Sequence, residues 1–191
     1  MTPQAYARAE PRIAAAMARA LAPRKPLTVS QWADADRRLS SKGSAEPGKW
    51  RTARNPPLRE PMDCLSARSP VQTVVLMFPI QFGKTEIAVN VLGYTMDNHP
   101  GPIMVCLPGE VSQQKWVAQT PNPMLEETPS GQATLTSTDS RNGANRREFK
   151  DFAGGQLYIE HAGSPSRLKS TSVRTLIVDE LDEFAANLTS G

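Results

Sequence analysis

Val71-Gln72-Thr73-Val74-Val75-Leu76-Met77-Phe78-Pro79-Ile80-Gln81-Phe82-Gly83-Lys84-Thr85 is the stretch on which the fold of this chain turns. Its first eight residues form a β-branched apolar run of the length expected for a strand buried on both faces, as in a parallel sheet. Pro79 to Gly83 then punctuates the chain as a turn. Thr85 to Met96 resumes with helical spacing: Ile87, Val91, Leu92 and Tyr94 give one broad apolar face, interrupted by Gly93. The order is strand, tight turn, helix.

A turn in that position is suited to holding phosphate. Successive backbone N–H groups point inward, and the start of the helix adds partial positive charge. Gln81, Phe82, Gly83, Lys84 and Thr85 therefore read as a nucleotide-binding P-loop: Lys84 reaches the β- and γ-phosphates of ATP, and the Thr85 hydroxyl ligates Mg²⁺. The full pattern has glycine where this chain has Phe78, so the turn must open differently. Taken alone, Gly-Lys-Thr is equally compatible with an ordinary turn that carries a solvated lysine.

Further along, Ile103–Leu107 (IMVCL) is a second buried strand, and strand, helix, strand implies a parallel crossover. Glu110 to Thr120 reads as the next helix. Pro121 to Arg147 is polar, rich in Ser, Thr and Asn, and is expected to be a mobile connection. Glu148–Phe152 and Gln156–His161 resemble two strands of a hairpin turning at Gly154–Gly155. Thr175–Val178 is the last buried strand, and it ends at Asp179 and Glu180.

Ligands of open parallel sheets sit beyond the carboxyl ends of the strands, so this acidic pair and the Lys84 turn should share one crevice. Asp179 would hold the Mg²⁺ shell and Glu180 would polarise the water that attacks the γ-phosphate. The competing reading is an acidic helix start that includes Asp182 and Glu183, which the helix dipole favours. Between the two halves lies Gly163–Ser170, a loop that presents Arg167 and Lys169 either to nucleotide or DNA phosphate or simply to water. His99 and His161 have no metal-ligand spacing and read as surface residues.

Toward the N-terminus, Ser40 to Pro70 is punctuated by glycine and proline. It reads as an extended segment that wraps a domain, pinned by Trp50. Ser30 stands as an N-cap before a short helix to Leu39. Residues 4–21 favour a helix that starts near Pro11. The expected organisation is a basic tail over 1–26, a wrapping segment over 27–70 and an ATPase core over 71–191. The expected fold class is α/β and P-loop NTPase-like, a mostly parallel sheet flanked by helices.

Totals agree with one domain and a tail. There are 191 residues, 39% apolar, with 17 prolines, so part of the chain is loop. The 22 basic residues outnumber the 19 acidic ones by only three, yet twelve of the basic residues precede Asp63. A polyanion such as DNA or an ordinary solvated surface explains that bias equally well. Two cysteines, Cys64 and Cys106, cannot form a four-thiolate metal site and fit a reduced, intracellular protein. No apolar stretch is long enough to span a bilayer.

With these residues together, the chain resembles the large terminase subunit of tailed bacteriophages, the lambda-type GpA family. The likeness runs from about Leu27 onward, through Leu27-Thr28-Val29-Ser30-Gln31-Trp32-Ala33-Asp34, Ser44-Ala45-Glu46-Pro47-Gly48-Lys49-Trp50-Arg51-Thr52, Gln81-Phe82-Gly83-Lys84-Thr85-Glu86 and Val178-Asp179-Glu180. The resemblance implies an additional-strand ATPase fold and a motor that moves double-stranded viral DNA into a capsid in the host cytoplasm. Its implied partners are a small terminase subunit, a portal or procapsid, and further copies of itself in the full motor.

It also places Lys84 and Thr85 on nucleotide, and Asp179 and Glu180 on metal and water. Terminase P-loops often diverge at the first glycine. The stretch Asn55-Pro56-Pro57-Leu58-Arg59 lacks the aromatic or glutamine that contacts adenine in the family, which leaves Arg54 or Arg59 to stack on the ring. Family members continue with further ATPase strands and a nuclease domain, whereas this sequence ends at Gly191. The expectation is an incomplete additional-strand fold that cleaves no DNA. Two other readings stand beside it: a helicase-like ATPase, which the blocks around Trp32 and Trp50 disfavour, and a non-catalytic remnant or DNA- or partner-binding module with a vestigial nucleotide site.

Overall fold

The computed structural model describes residues 26–41, 44, 46–134, 145–146 and 149–184. The helix expected over 4–21, and the basic tail up to residue 25, lie outside the described residues.

The first helix, α1 (Val29–Asp36), is capped by Thr28 rather than Ser30. The Thr28 hydroxyl accepts from the Gln31 N–H and the Gln31 side chain accepts from the Thr28 N–H, a reciprocal box that needs a Glu or Gln three residues on. The helix stops before Leu39 because Arg38–Leu39 (β1) pairs antiparallel with Gly48–Lys49 (β2). Two 3₁₀ turns, Thr52–Arg54 and Pro56–Leu58, lead into α2 (Arg59–Cys64).

α3 (Lys84–Asn98) is the central helix, and Gly93 does not interrupt it. A Cβ at Gly93 would lie 2.2 Å from the Trp32 ring, so the missing side chain is what lets α1 seat against α3. The Trp32 indole N–H, 3.0 Å from the Asp97 carboxylate, fixes the seat. Val29, Trp32, Trp50, Leu58 and Met62 from the wrapping residues close with Ile87, Val91 and Tyr94 of α3 into one apolar cluster. Trp50 is buried there, as expected of a pin.

Val71–Phe78 departs from expectation. It is extended, but it is not a strand, and among the described residues no backbone hydrogen bond joins 72–78 to a neighbour. Val74, Leu76 and Phe78 turn inward while Val75 and Met77 remain 78% and 91% exposed. Val71 to Thr73 are all exposed, and from Thr73 onward the run is half-buried with period two, not buried on both faces.

The sheet is built from later segments. Ile103–Leu107 (β3) is buried at all five positions. α4 (Glu110–Gln119) follows, and then α5 (Pro121–Glu127) and α6 (Pro129–Thr134) stand where a mobile connection was expected. Proline at the first turn of a helix lacks only an N–H that would be unused there, so Pro121 and Pro129 start these helices instead of breaking them.

Asn145–Arg146 (β4), Phe149–Phe152 (β5) and Gly155–His161 (β6) form an antiparallel ribbon. Its β5–β6 turn is Ala153–Gly154, with Gly154 at φ 85°, one residue earlier than read from the sequence. The loop around Ser166 contains a short helix, α7 (Pro165–Lys169), before Thr175–Val178 (β7). Strand order is β4-β5-β6-β3-β7, and β3 runs parallel to both β6 and β7. The result is a mixed α/β fold with a partly parallel sheet flanked by helices. A second apolar cluster joins α3, α4 and α5 to the sheet, and Ile177 of β7 packs against both clusters. No described helix is long and apolar enough to cross a membrane.

Candidate functional site

The turn before α3 is closed by aromatic packing. The Phe78 and Phe82 rings meet edge to face with centroids 4.9 Å apart, which draws together the two ends of the segment. Phe78 has no positive φ, so this position makes no demand for glycine. The unusual dihedrals fall instead on Gln81 (φ 60°) and Gly83 (φ 108°). From below, the Asn55 side-chain amide donates to the Phe82 carbonyl at 2.9 Å, and Leu58 fills the space that a Cβ on Gly83 would need. Gly83 caps α3, and Lys84 folds back so that its ammonium donates to the Phe78 carbonyl at 3.2 Å.

At the carboxyl end of β7, the Asp179 N–H donates to the Cys106 carbonyl at 3.1 Å and so carries the parallel ladder one residue past Val178. Glu180 then adopts the left-handed conformation (φ 54°, ψ 47°) and opens a 3₁₀ turn over Leu181–Glu183. A glutamate held there is strained by about 1 kcal/mol or more, the kind of strain that collects at functional sites.

Burial pushes the half-buried Asp179 carboxyl above its ordinary pKa. The Glu180 backbone N–H, the Lys84 charge and the Trp116 indole all pull the other way. Glu180 is also raised, first by desolvation and then by Glu183, Asp179 and Asp182, with Lys84 again opposing. The Lys84 ammonium thus acts on both carboxylates. The start of α3 and the end of β7 come within electrostatic reach of each other.

The family model for the phage terminase large subunit gpA ATPase domain matches residues 44–191, well over half the chain. The chain belongs to that family. Among curated proteins and among solved structures, no match was found.

The other residues singled out in this terminase ATPase domain are placed differently. Thr85, in the first turn of α3, lines a cleft with Arg37, Ser40, Glu86 and Gln119. Arg167 lies on α7 with its guanidinium 3.4 Å from the Glu160 carboxylate of β6, two positions across the sheet from β7. Arg54 pairs with Glu46, and Arg59 lines a shallow groove with Pro56, Glu60 and Asp63. His99 contacts Arg174, and the His161 ring lies 3.2 Å from the Ser164 hydroxyl.

Four residues that sequence reasoning passed over shape the site. Asn55 holds the turn. Arg37, buried, pairs with Glu86 at 2.9 Å and donates to Asn90 at 3.2 Å, fastening the wrapping residues to α3 beside Thr85. Desolvation lowers its pKa, and Glu86 opposes that. Gln113 of α4 donates to the Ile159 carbonyl, and Trp116, one turn on, faces Asp179. A glutamine and a tryptophan three residues apart on the inner face of one helix is the signal that was available.

Among the described residues no group of three or more His, Cys, Asp or Glu side chains could hold a metal unaided. The half-buried Asp179 carboxylate is a hard oxygen donor of the kind Mg²⁺ takes, an ion that binds one or two carboxylates and completes its shell with water and substrate phosphates.

Proposed function

We propose that this terminase ATPase domain binds Mg-ATP where the start of α3 meets the end of β7, and that hydrolysis there drives double-stranded DNA into a capsid. The observation that carries the reading is the reach of the Lys84 ammonium to both Asp179 and Glu180. The fold reading that goes with it is P-loop NTPase-like, with a core over 71–191, a wrapping segment over 27–70 and a basic tail over 1–26. Among the described residues β7 ends the sheet and the run 71–78 is unpaired, which supports a sheet with room for a further strand.

In this reading the backbone N–H groups of Gln81 and Gly83, at the positive end of α3, cradle the phosphates, joined by the Phe82 N–H once it leaves the Pro79 carbonyl, to which it donates at 3.3 Å. Lys84 leaves the Phe78 carbonyl for the β- and γ-phosphate oxygens. Asp179 would hold the Mg²⁺ together with Thr85, whose side chain would have to turn from the Arg37 cleft that it lines, and the ion would supply charge neutralisation at the phosphates. Glu180, with its pKa raised, is the better general base and accepts the proton of the attacking water. Arg167 would have to leave Glu160 to stabilise charge on the transferred phosphoryl. DNA, the small subunit, the portal and further copies of the chain are the partners this reading requires.

Lys84→Ala is expected to weaken Mg²⁺-dependent ATP binding severely, measured by calorimetry; unchanged affinity would exclude the site. Glu180→Gln should keep binding and lose turnover. The Lys84 bond to the Phe78 carbonyl and the Phe82 N–H bond to the Pro79 carbonyl favour one second reading, a vestigial site, which nucleotide binding without any wild-type hydrolysis would support.

A further inference from the structure

Trp116 is a buried tryptophan whose indole N–H makes no hydrogen bond. Among the described residues it is the one buried side-chain polar atom left without a partner. An unsatisfied donor in a packed interior is costly, so its surroundings call for explanation. The ring sits on α4, which packs over β3 and β6, in the apolar cluster against which Ile177 of β7 lies. Ile177 and Asp179 are two residues apart in an extended chain and so project to the same side of it.

The indole accordingly faces the Asp179 carboxylate. It is near enough to act on that group as a donor, yet it falls short of a closed hydrogen bond. The pair is poised rather than joined. A small rotation of the carboxylate would satisfy the orphaned N–H and leave its second oxygen free for another partner.

We propose that Trp116 is a positioning residue: its indole N–H takes one oxygen of Asp179 and so turns the other toward the divalent cation that accompanies the nucleotide. The inference rests on the nucleotide-site reading above. It is separate chemistry from the phosphate cradle, because the indole would act through Asp179 and touch neither nucleotide nor metal. Carboxylates that ligate metals are commonly oriented by such partners, and losing the partner costs about 10–100-fold in metal affinity.

Two measurements on the full chain test it. In ¹⁵N-labelled protein the three tryptophan indoles give separate resonances, and Trp116→Phe identifies one of them. That resonance should move when Mg²⁺ and ADP are added together, and should stay still in Asp179→Asn. In parallel, ADP affinity is titrated with and without Mg²⁺. Trp116→Phe keeps an aromatic ring in the cluster and should weaken the Mg²⁺-dependent part about tenfold while leaving metal-free ADP affinity unchanged.

An unmoved indole resonance, or a Mg²⁺ response equal to wild type, overturns the inference. Equal loss with and without Mg²⁺ also overturns it, since that is the mark of a merely structural tryptophan. A wild-type chain that shows no Mg²⁺-dependent nucleotide binding overturns the nucleotide site itself. Metal loss in Asp179→Asn but not in Trp116→Phe leaves that site standing and removes only the role of Trp116.

Discussion

Ile103–Leu107 and Val71–Phe78 read almost alike, both being short apolar runs rich in β-branched residues, but they end in opposite situations. The first is β3, flanked by parallel strands on both sides and buried at every position. The second carries no strand pairing among the described residues, and only from Thr73 to Phe78 do exposed and half-buried side chains alternate. Composition sets the tendency of a run to extend; the neighbours available on each side decide whether it becomes part of a sheet. β7 shows the intermediate case: paired with β3 on one side and, among the described residues, with no strand on the other, it alternates between half-buried and exposed residues.

The largest test of this contrast is charge. Val105→Asp places an unpaired carboxylate in the centre of β3, and the loss should be on the order of 5 kcal/mol or more, enough to unfold a small domain. Val75→Asp, at the outward face of the second run, should change stability by no more than about 0.5 kcal/mol. Urea unfolding followed by circular dichroism distinguishes them, and comparable losses would show that Val71–Phe78 is a core strand after all.

A smaller effect is expected at α3, the helix on which both regions lean. Gly93→Ala drives a methyl group into the Trp32 ring and should cost about 1–3 kcal/mol, read as a lower unfolding midpoint. A neutral result would mean that α1 is not seated on α3 as described.

The smallest effect concerns pH. The folded-state pKa values of Asp179 and Glu180 lie above their ordinary values of 3.8 and 4.5, so the fold favours their protonated forms. That stabilisation is complete below pH 3.8 and is lost as pH rises through the elevated values. At neutral pH without Mg²⁺, Asp179→Asn should therefore raise the thermal midpoint slightly, and the gain should vanish at low pH. A lowered midpoint at neutral pH would contradict the desolvation of that carboxyl.

How much of this was legible follows from which forces are local. β3, α4, the β5–β6 hairpin and β7 could be read to within a residue or so, because their periodicity and turn residues agree with their tertiary surroundings. Thr28 displaced Ser30 as a cap because a cap at Ser30 would place Ala33 where the reciprocal bond needs a Glu or Gln. Pro121 and Pro129 misled because proline ends one kind of segment and begins another.

At the site, Lys84, Asp179 and Glu180 were visible because each stands at a strand end or helix start. Asn55, Arg37 and Trp116 were not, since the contacts that define them span 27, 49 and about 60 residues of chain. Arg167 was picked for its loop, and its partner Glu160 could not be foreseen from spacing alone.

The central claim is that Lys84 and Asp179 serve one bound nucleotide. A double-mutant cycle measures this directly: Mg-ATP affinity is determined for wild type, Lys84→Ala, Asp179→Asn and the double variant. A shared site predicts strong coupling, with the double variant little weaker than the worse single one and an interaction energy above about 1 kcal/mol. Losses that simply add, or no loss in either single variant, would contradict it.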